Sequence, residues 1–267
     1  MRLRGGAHTT FNPNRPRPST THVADATMWP VAELLANPKW IRGVVDGVVI
    51  VDSREVLGVW DHRHYPSWYF PVEDVTAELR PTGEVRTTAK VGSATVHDIA
   101  VGDRVLVGAA TRHDDSPIAE LHDRVKIDFD AVDRWFEEDI EVFSEPKNPY
   151  VRVDTLPSSR HVKVTWNGQV VAETHKPTIV YETGVNPRYY IPALDVRLDL
   201  LVPAARRSSC PYKGFASYWS VVVDGVEATE SVWGYPSPFR EARAAAGMLS
   251  FYTNKLEVEI DGERITT

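Results

Sequence analysis

The chain has 267 residues, 42% hydrophobic and 25% charged, with a net charge of −7 from 30 basic and 37 acidic side chains. This is the composition of an ordinary soluble globular protein, long for one domain and comfortable for two with separate cores. The acidic balance gives no general attraction to phosphate backbones or anionic lipid, no apolar run approaches membrane-spanning length, and a single cysteine excludes an intrachain disulfide and any multi-cysteine zinc site.

Residues 1–25 are rich in Pro, Arg, Asn and Thr, without apolar periodicity or an apolar stretch of signal-peptide length. They read as a flexible arm, and a cytoplasmic location is expected. "WPVAELLANP" (29–38), bounded by prolines, predicts a short helix. "GVVDGVVIVDS" places Asp46-Gly47 between Val-rich runs, the pattern of a β-hairpin closed by a type I′ turn. In "WDHRH", His62 and His64 share one face of an extended strand beside Asp61; no third ligand accompanies them, so no metal is expected. "DAVDRWFEED" around Trp135 predicts a second helix.

"HVKVTWNGQVVAET" carries the clearest hairpin signal, at Asn167-Gly168, and "WSVVVDGVEATE" and "LEVEIDGER" repeat it at Asp224-Gly225 and Asp261-Gly262. "SPFREARAAAGML" predicts a third helix, with Ser237 as N-cap, Pro238 at the first helical position and Gly247 near the end. Hairpin turns joining Val-rich runs imply antiparallel meanders rather than βαβ crossovers.

The chain also matches itself at an offset of 121: residues 42–75 lie without gaps on residues 163–196. Gly47 falls on Gly168, Pro66 on Pro187, Tyr69 on Tyr190, Pro71 on Pro192 and Asp74 on Asp195, which are positions that fix the backbone path. The expected organisation is an arm (1–25), a first, divergent β domain (26–145) and a second β domain (146–267), both compact and antiparallel with a few short helices. Past the match the copies part. Ala89 or Lys90 stands opposite Cys210, nothing in the first copy reproduces Lys213, and the first copy has no counterpart of "PSSRHV". The second copy is therefore expected to hold the site, and the first to act as scaffold.

"DTLPSSRHVKVTWNGQVVAET", "VYETGVNPRYYIPALDV", "SSCPYKGFASYWSVVVDG", "WGYPSPFREARAAAGMLSFY" and "LEVEIDG" resemble the family called domain of unknown function 427, in its tandem form. The resemblance covers residues 146–263 well and the first copy loosely. It implies a compact all-β fold similar to the β-tent, without that class's usual zinc, and no established reaction. A nucleotidyltransferase-like label attached to the family finds no support here: the chain lacks a Gly-Ser followed by an Asp-x-Asp pair, and a glycine-rich phosphate loop.

Candidate site residues lie in the second copy. Cys210 stands near Arg206, Arg207 and Lys213, and positive charge favours the reactive thiolate; an unpaired cysteine is more usually a small buried hydrophobe. Ser159 and Arg160 offer a hydroxyl and a planar fork to an anion, with His161 as a candidate base. Glu182 ends an apolar strand and is a candidate acid or base, with Arg188 as counter-charge. Tyr189 and Tyr190 alternate in direction, so one faces the core. Tyr218, Trp233 and their aromatic neighbours Trp219, Tyr235, Phe251 and Tyr252 suit a pocket or a small β core.

The expected function is binding of an anionic small molecule by Ser159, Arg160, Arg188, Tyr190, Lys213, Tyr218 and Trp233, with Cys210, Glu182 or His161 as reactive groups. The alternative is a non-catalytic ligand-binding or protein-interaction module in which Cys210 is structural. No cofactor, nucleic acid or membrane partner is expected.

Overall fold

All four Asx-Gly turns form as the sequence predicts. Asp46, Asn167, Asp224 and Asp261 take φ of 49°, 47°, 47° and 54°, and the glycine after each is also left-handed, the geometry whose twist matches paired strands. The computed structural model describes residues 34–61 and 65–265, so the arm and His62 and His64 lie outside the described residues.

The first repeat contains β1 (Leu34–Asn37), β2 (Ile41–Val45), β3 (Val48–Ser53), β4 (Val56–Val59), β5 (Ser67–Pro71), β6 (Glu78–Thr88), β7 (Gly92–Val101), β8 (Arg104–Arg112), β9 (Arg124–Ile127), β10 (Arg134–Glu137) and β11 (Ile140–Val142). The second contains β12 (Val153–Pro157), β13 (Val162–Trp166), β14 (Gln169–Thr174), β15 (Thr178–Glu182), β16 (Val185–Pro192), β17 (Leu201–Cys210), β18 (Gly214–Val223), β19 (Val226–Gly234), β20 (Met248–Phe251), β21 (Glu257–Ile260) and β22 (Glu263–Ile265).

Each repeat folds as a seven-stranded and a four-stranded antiparallel sheet. The orders are β1-β4-β5-β9-β8-β7-β6 with β11-β10-β2-β3, and β12-β15-β16-β20-β19-β18-β17 with β14-β13-β21-β22. Period-two patterning puts one core between the sheets of each repeat. Ile41, Ile50, Phe70 and Trp135 fill the first, with Trp135 stacked on Phe70 at 5.8 Å. Aliphatic Val162, Val164, Ile191, Val258 and Ile260 fill the second.

Where described, none of the three expected helices is an α-helix. Within 29–38, the described part is strand β1, whose Leu34 pairs with Val59 at the sheet edge. Around Trp135 the chain makes a 3-10 turn (Phe129–Ala131) and then β10, because pairing with β2 drives the indole into the core. Arg240–Ala245 is a 3-10 helix whose N-cap is Phe239 rather than Ser237. Ala242 and Ala245 are both buried, and the spacing of three suits that tighter helix. Among the described residues, no helix is long and apolar enough to cross a membrane.

Candidate functional site

The face of each seven-stranded sheet opposite its inter-sheet core carries the groups capable of chemistry, and strand registers equate the two repeats there. Val96, Thr111 and Lys126 run across three strands as Tyr218, Trp233 and Ser250 do. Tyr69 pairs with Lys126 as Tyr190 pairs with Ser250. Thr88 pairs with Gly92 as Cys210 pairs with Gly214, so Cys210 matches Thr88 and not Ala89 or Lys90. The extended alignment slips because the second repeat's connection into β17 carries an added 3-10 turn, Leu198–Leu200.

In the second repeat this face is packed with aromatic side chains. Tyr190, Tyr212, Tyr218, Trp233 and Tyr235 form one buried cluster with Cys210, which is 7% exposed. Trp233 Nε1 donates to the Tyr190 hydroxyl at 3.1 Å, and Ser208 Oγ and the Tyr218 hydroxyl share a hydrogen bond of 2.7 Å. Tyr65, from the first repeat, packs against this cluster, its ring 6.4 Å from that of Tyr212. Burial raises the phenols of Tyr65, Tyr190 and Tyr235 far above the usual range, and that of Tyr212 to about 12. These hydroxyls are therefore neutral hydrogen-bonding groups.

Glu182 sits at the end of β15 and accepts a hydrogen bond from Lys213 Nζ, the two side chains being 13% and 14% exposed. The counter-charge is thus Lys213 rather than Arg188. Arg188 pairs with Val180, a register shift beyond that pair sets Glu182 opposite Val185, and the Arg188 guanidinium lies 5.8 Å from the Trp233 ring. The other cations near the thiol in sequence are committed elsewhere: Arg206 stands 4.3 Å over Tyr218, and Arg207 donates to the Ala204 and Arg206 carbonyls.

Ser159, Arg160 and His161 form a separate group. Ser159 is exposed. Arg160 Nε donates to Asp261 Oδ2 at 2.7 Å and its guanidinium lies 5.8 Å from the Tyr189 ring. His161 Nε2 is 2.8 Å from Glu173 Oε1, and its ring stacks on His175 at 4.4 Å. These contacts belong to the four-stranded sheet and its β21–β22 turn, whereas Cys210, Glu182, Lys213, Arg188, Tyr190, Tyr218 and Trp233 gather on the seven-stranded sheet.

In the first repeat the equivalent face is open. Thr88, Thr111, His113 and Asp128 line a cavity of about 250 Å³, together with Asp61, Tyr69, Arg86 and Lys126. Asp61 holds its floor, accepting from Ser67 Oγ at 2.7 Å, the Tyr69 hydroxyl at 3.0 Å and Lys126 Nζ at 2.6 Å. Both repeats thus place a carboxylate at or just past the end of the strand leading into β5 or β16 and neutralise it with lysine. The lysine comes from β9 in one and from the β17–β18 turn in the other. His113 is 4% exposed, burial holds its pKa below the usual value, and its Nδ1 has no hydrogen-bond partner of ordinary geometry among the described residues.

A family model described as domain of unknown function (DUF427) matches this chain twice, over residues 33–138 and 154–262. The chain belongs to the DUF427 family. Each match spans one repeat, the divergent first one included, so both sheet pairs are versions of one DUF427 unit. Among curated proteins, none matches the chain. Within the described part of this DUF427 tandem, no three side chains of metal-ligating type converge.

Sequence reasoning missed Tyr65, Arg86, His113 and Lys126. Asp61 and Tyr69 were within reach, since the repeat lays them on Glu182 and Tyr190. Lys126 was not, because its structural partner is Ser250 and only sheet register equates the two.

Proposed function

We propose that this protein binds a small molecule without transforming it, and that the site is the cavity of the first repeat. The observation that carries this reading is the contrast at equivalent positions. Where the second repeat has Tyr218, Trp233 and Tyr235, the first has Val96, Thr111 and His113, and about 250 Å³ stays open above a fixed polar floor. Drug-sized pockets span roughly 300–1,000 Å³, so this one suits a molecule of small-metabolite size. A concave space with a few positioned polar groups is the usual form of such a site.

Cys210 and Glu182 are structural in this reading. Reactive cysteines stand in electropositive, partly exposed surroundings; Cys210 is buried among phenols, and the nearest lysine is paired with Glu182. A second-repeat anion site built from Arg160, Arg188 and Lys213 would need those cations on one concavity, and each is engaged with a different partner.

The test is a fragment screen by ligand-observed NMR on the full chain and on its Thr111→Trp variant, which copies Trp233 into the cavity. Fragments that bind the wild type and are lost in the variant support the reading. A hit list unchanged by Thr111→Trp overturns it.

A further inference from the structure

Building on the reading of this cavity as a ligand site, we infer that its ligand is an anion carrying a carboxylate or phosphate group, held by Lys126 and Arg86 with His113 and Thr111 as neutral partners. The formal charges of the ionised lining groups cancel, so net charge does not decide the matter. Unused hydrogen-bonding capacity does. Asp61, whose side chain is 8% exposed, already accepts three hydrogen bonds on two oxygens. Asp128 accepts the backbone N–H of Asp130 as cap of the 3-10 turn behind it.

The donors are less committed. Lys126 spends one of its three N–H bonds on Asp61 and keeps 30% of its side chain exposed. Arg86 is tied through Nε to Glu84 at 2.8 Å, which leaves its two terminal amino groups for a ligand. Its Nη2 lies 3.4 Å from the point where a Cβ on Gly108 would stand. Gly108, at φ +61°, thus gives this guanidinium room at the cavity wall. His113 brings a buried imidazole whose Nδ1 makes no hydrogen bond of ordinary geometry among the described residues, and Thr111 Oγ1 lies 3.4 Å from its Nε2. A planar fork, an ammonium and neutral donors around one small space match a carboxylate or phosphate, the groups that charge-assisted hydrogen bonds select.

The second repeat sharpens the argument. It has Ser208 where the first has Arg86, Ser250 in place of Lys126, and Tyr235 in place of His113. In the first copy cationic and neutral donors line the space; at the matching positions of the second, serine and tyrosine replace them, and Tyr235 lies in the buried aromatic cluster.

The experiment is calorimetric titration of the full chain with malonate and inorganic phosphate, against malonamide and glycerol as neutral counterparts. The anions should bind more tightly by about tenfold or more, the worth of one charge-assisted hydrogen bond. Arg86→Gln, an exposed substitution that keeps the fold, should remove most of that preference. Lys126→Met paired with Asp61→Asn should do the same without leaving a buried carboxylate alone. Thr111→Trp should abolish all binding. Malonamide binding as tightly as malonate, or an anion preference that survives both charge variants, overturns the anion inference while the cavity reading stands. Anion binding that survives Thr111→Trp, or no binding by any probe together with an empty fragment screen, overturns the cavity reading and this inference with it.

Discussion

The two repeats solve one structural problem in opposite ways. Each leaves a carboxylate near a strand end, Asp61 or Glu182, with a lysine to neutralise it. The second repeat then fills the space above with Tyr218, Trp233 and Tyr235, and Tyr65 packs against that cluster from the other repeat. The first leaves the space to threonine and histidine. An accumulation of polar and aromatic residues in sequence therefore does not mark the open site. In a β sheet, large side chains are as able to abolish a pocket as to line one, and volume decides.

The comparison breaks most visibly if the second repeat is given first-repeat residues. Trp233→Thr with Tyr235→His removes two buried aromatics and is expected to cost about 5 kcal/mol or more, each large-to-small change alone costing roughly 3–5. Urea denaturation measures it. If the double variant still folds, it should bind benzene or xenon where the wild type does not. Next is Lys213→Ala, which leaves Glu182 charged and mostly buried, at a cost of about 3–5 kcal/mol. Adding Glu182→Gln should recover most of that loss, and failure to recover it would mean the lysine acts through packing rather than charge.

Cys210→Ala should cost only about 1 kcal/mol and leave fragment binding unchanged. In the native protein its thiol should react with a disulfide reagent more slowly than a free thiol does, and reaction faster than that would restore the nucleophile reading. The smallest effect is a pH slope. Burial holds His113 below its usual 6.5, so the unfolded chain takes up that proton first as pH falls. The stability owed to neutral His113 is fully present above pH 6.5 and declines as pH drops below it. His113→Gln should flatten the slope of melting temperature between about pH 6.5 and 5, while Tyr235→Phe at the matching position should not.

Much of the fold was legible because its signals are local. Four Asx-Gly turns fix four hairpins, and the self-match fixes the duplication. The helices were misread because the decisive pairing is distant: Trp135 lies in a strand held by β2, more than ninety residues earlier. The grouping of the second-repeat candidates was partly legible. Cys210, Glu182, Lys213, Tyr190, Tyr218 and Trp233 do meet, yet Arg160 and His161 do not join them. The cavity escaped because its lining rests on absent bulk, and no motif announces a threonine where the other copy has tryptophan.

Tyr65 has one more consequence. By reaching across to Tyr212 and the cluster around it, it makes the second half depend on a side chain that only the first half encodes. Lys147 bonded to Glu241, and Asn148 exchanging hydrogen bonds with the Tyr212 hydroxyl, tie the connecting segment to the same surface. The duplicated halves are no longer spare parts for one another.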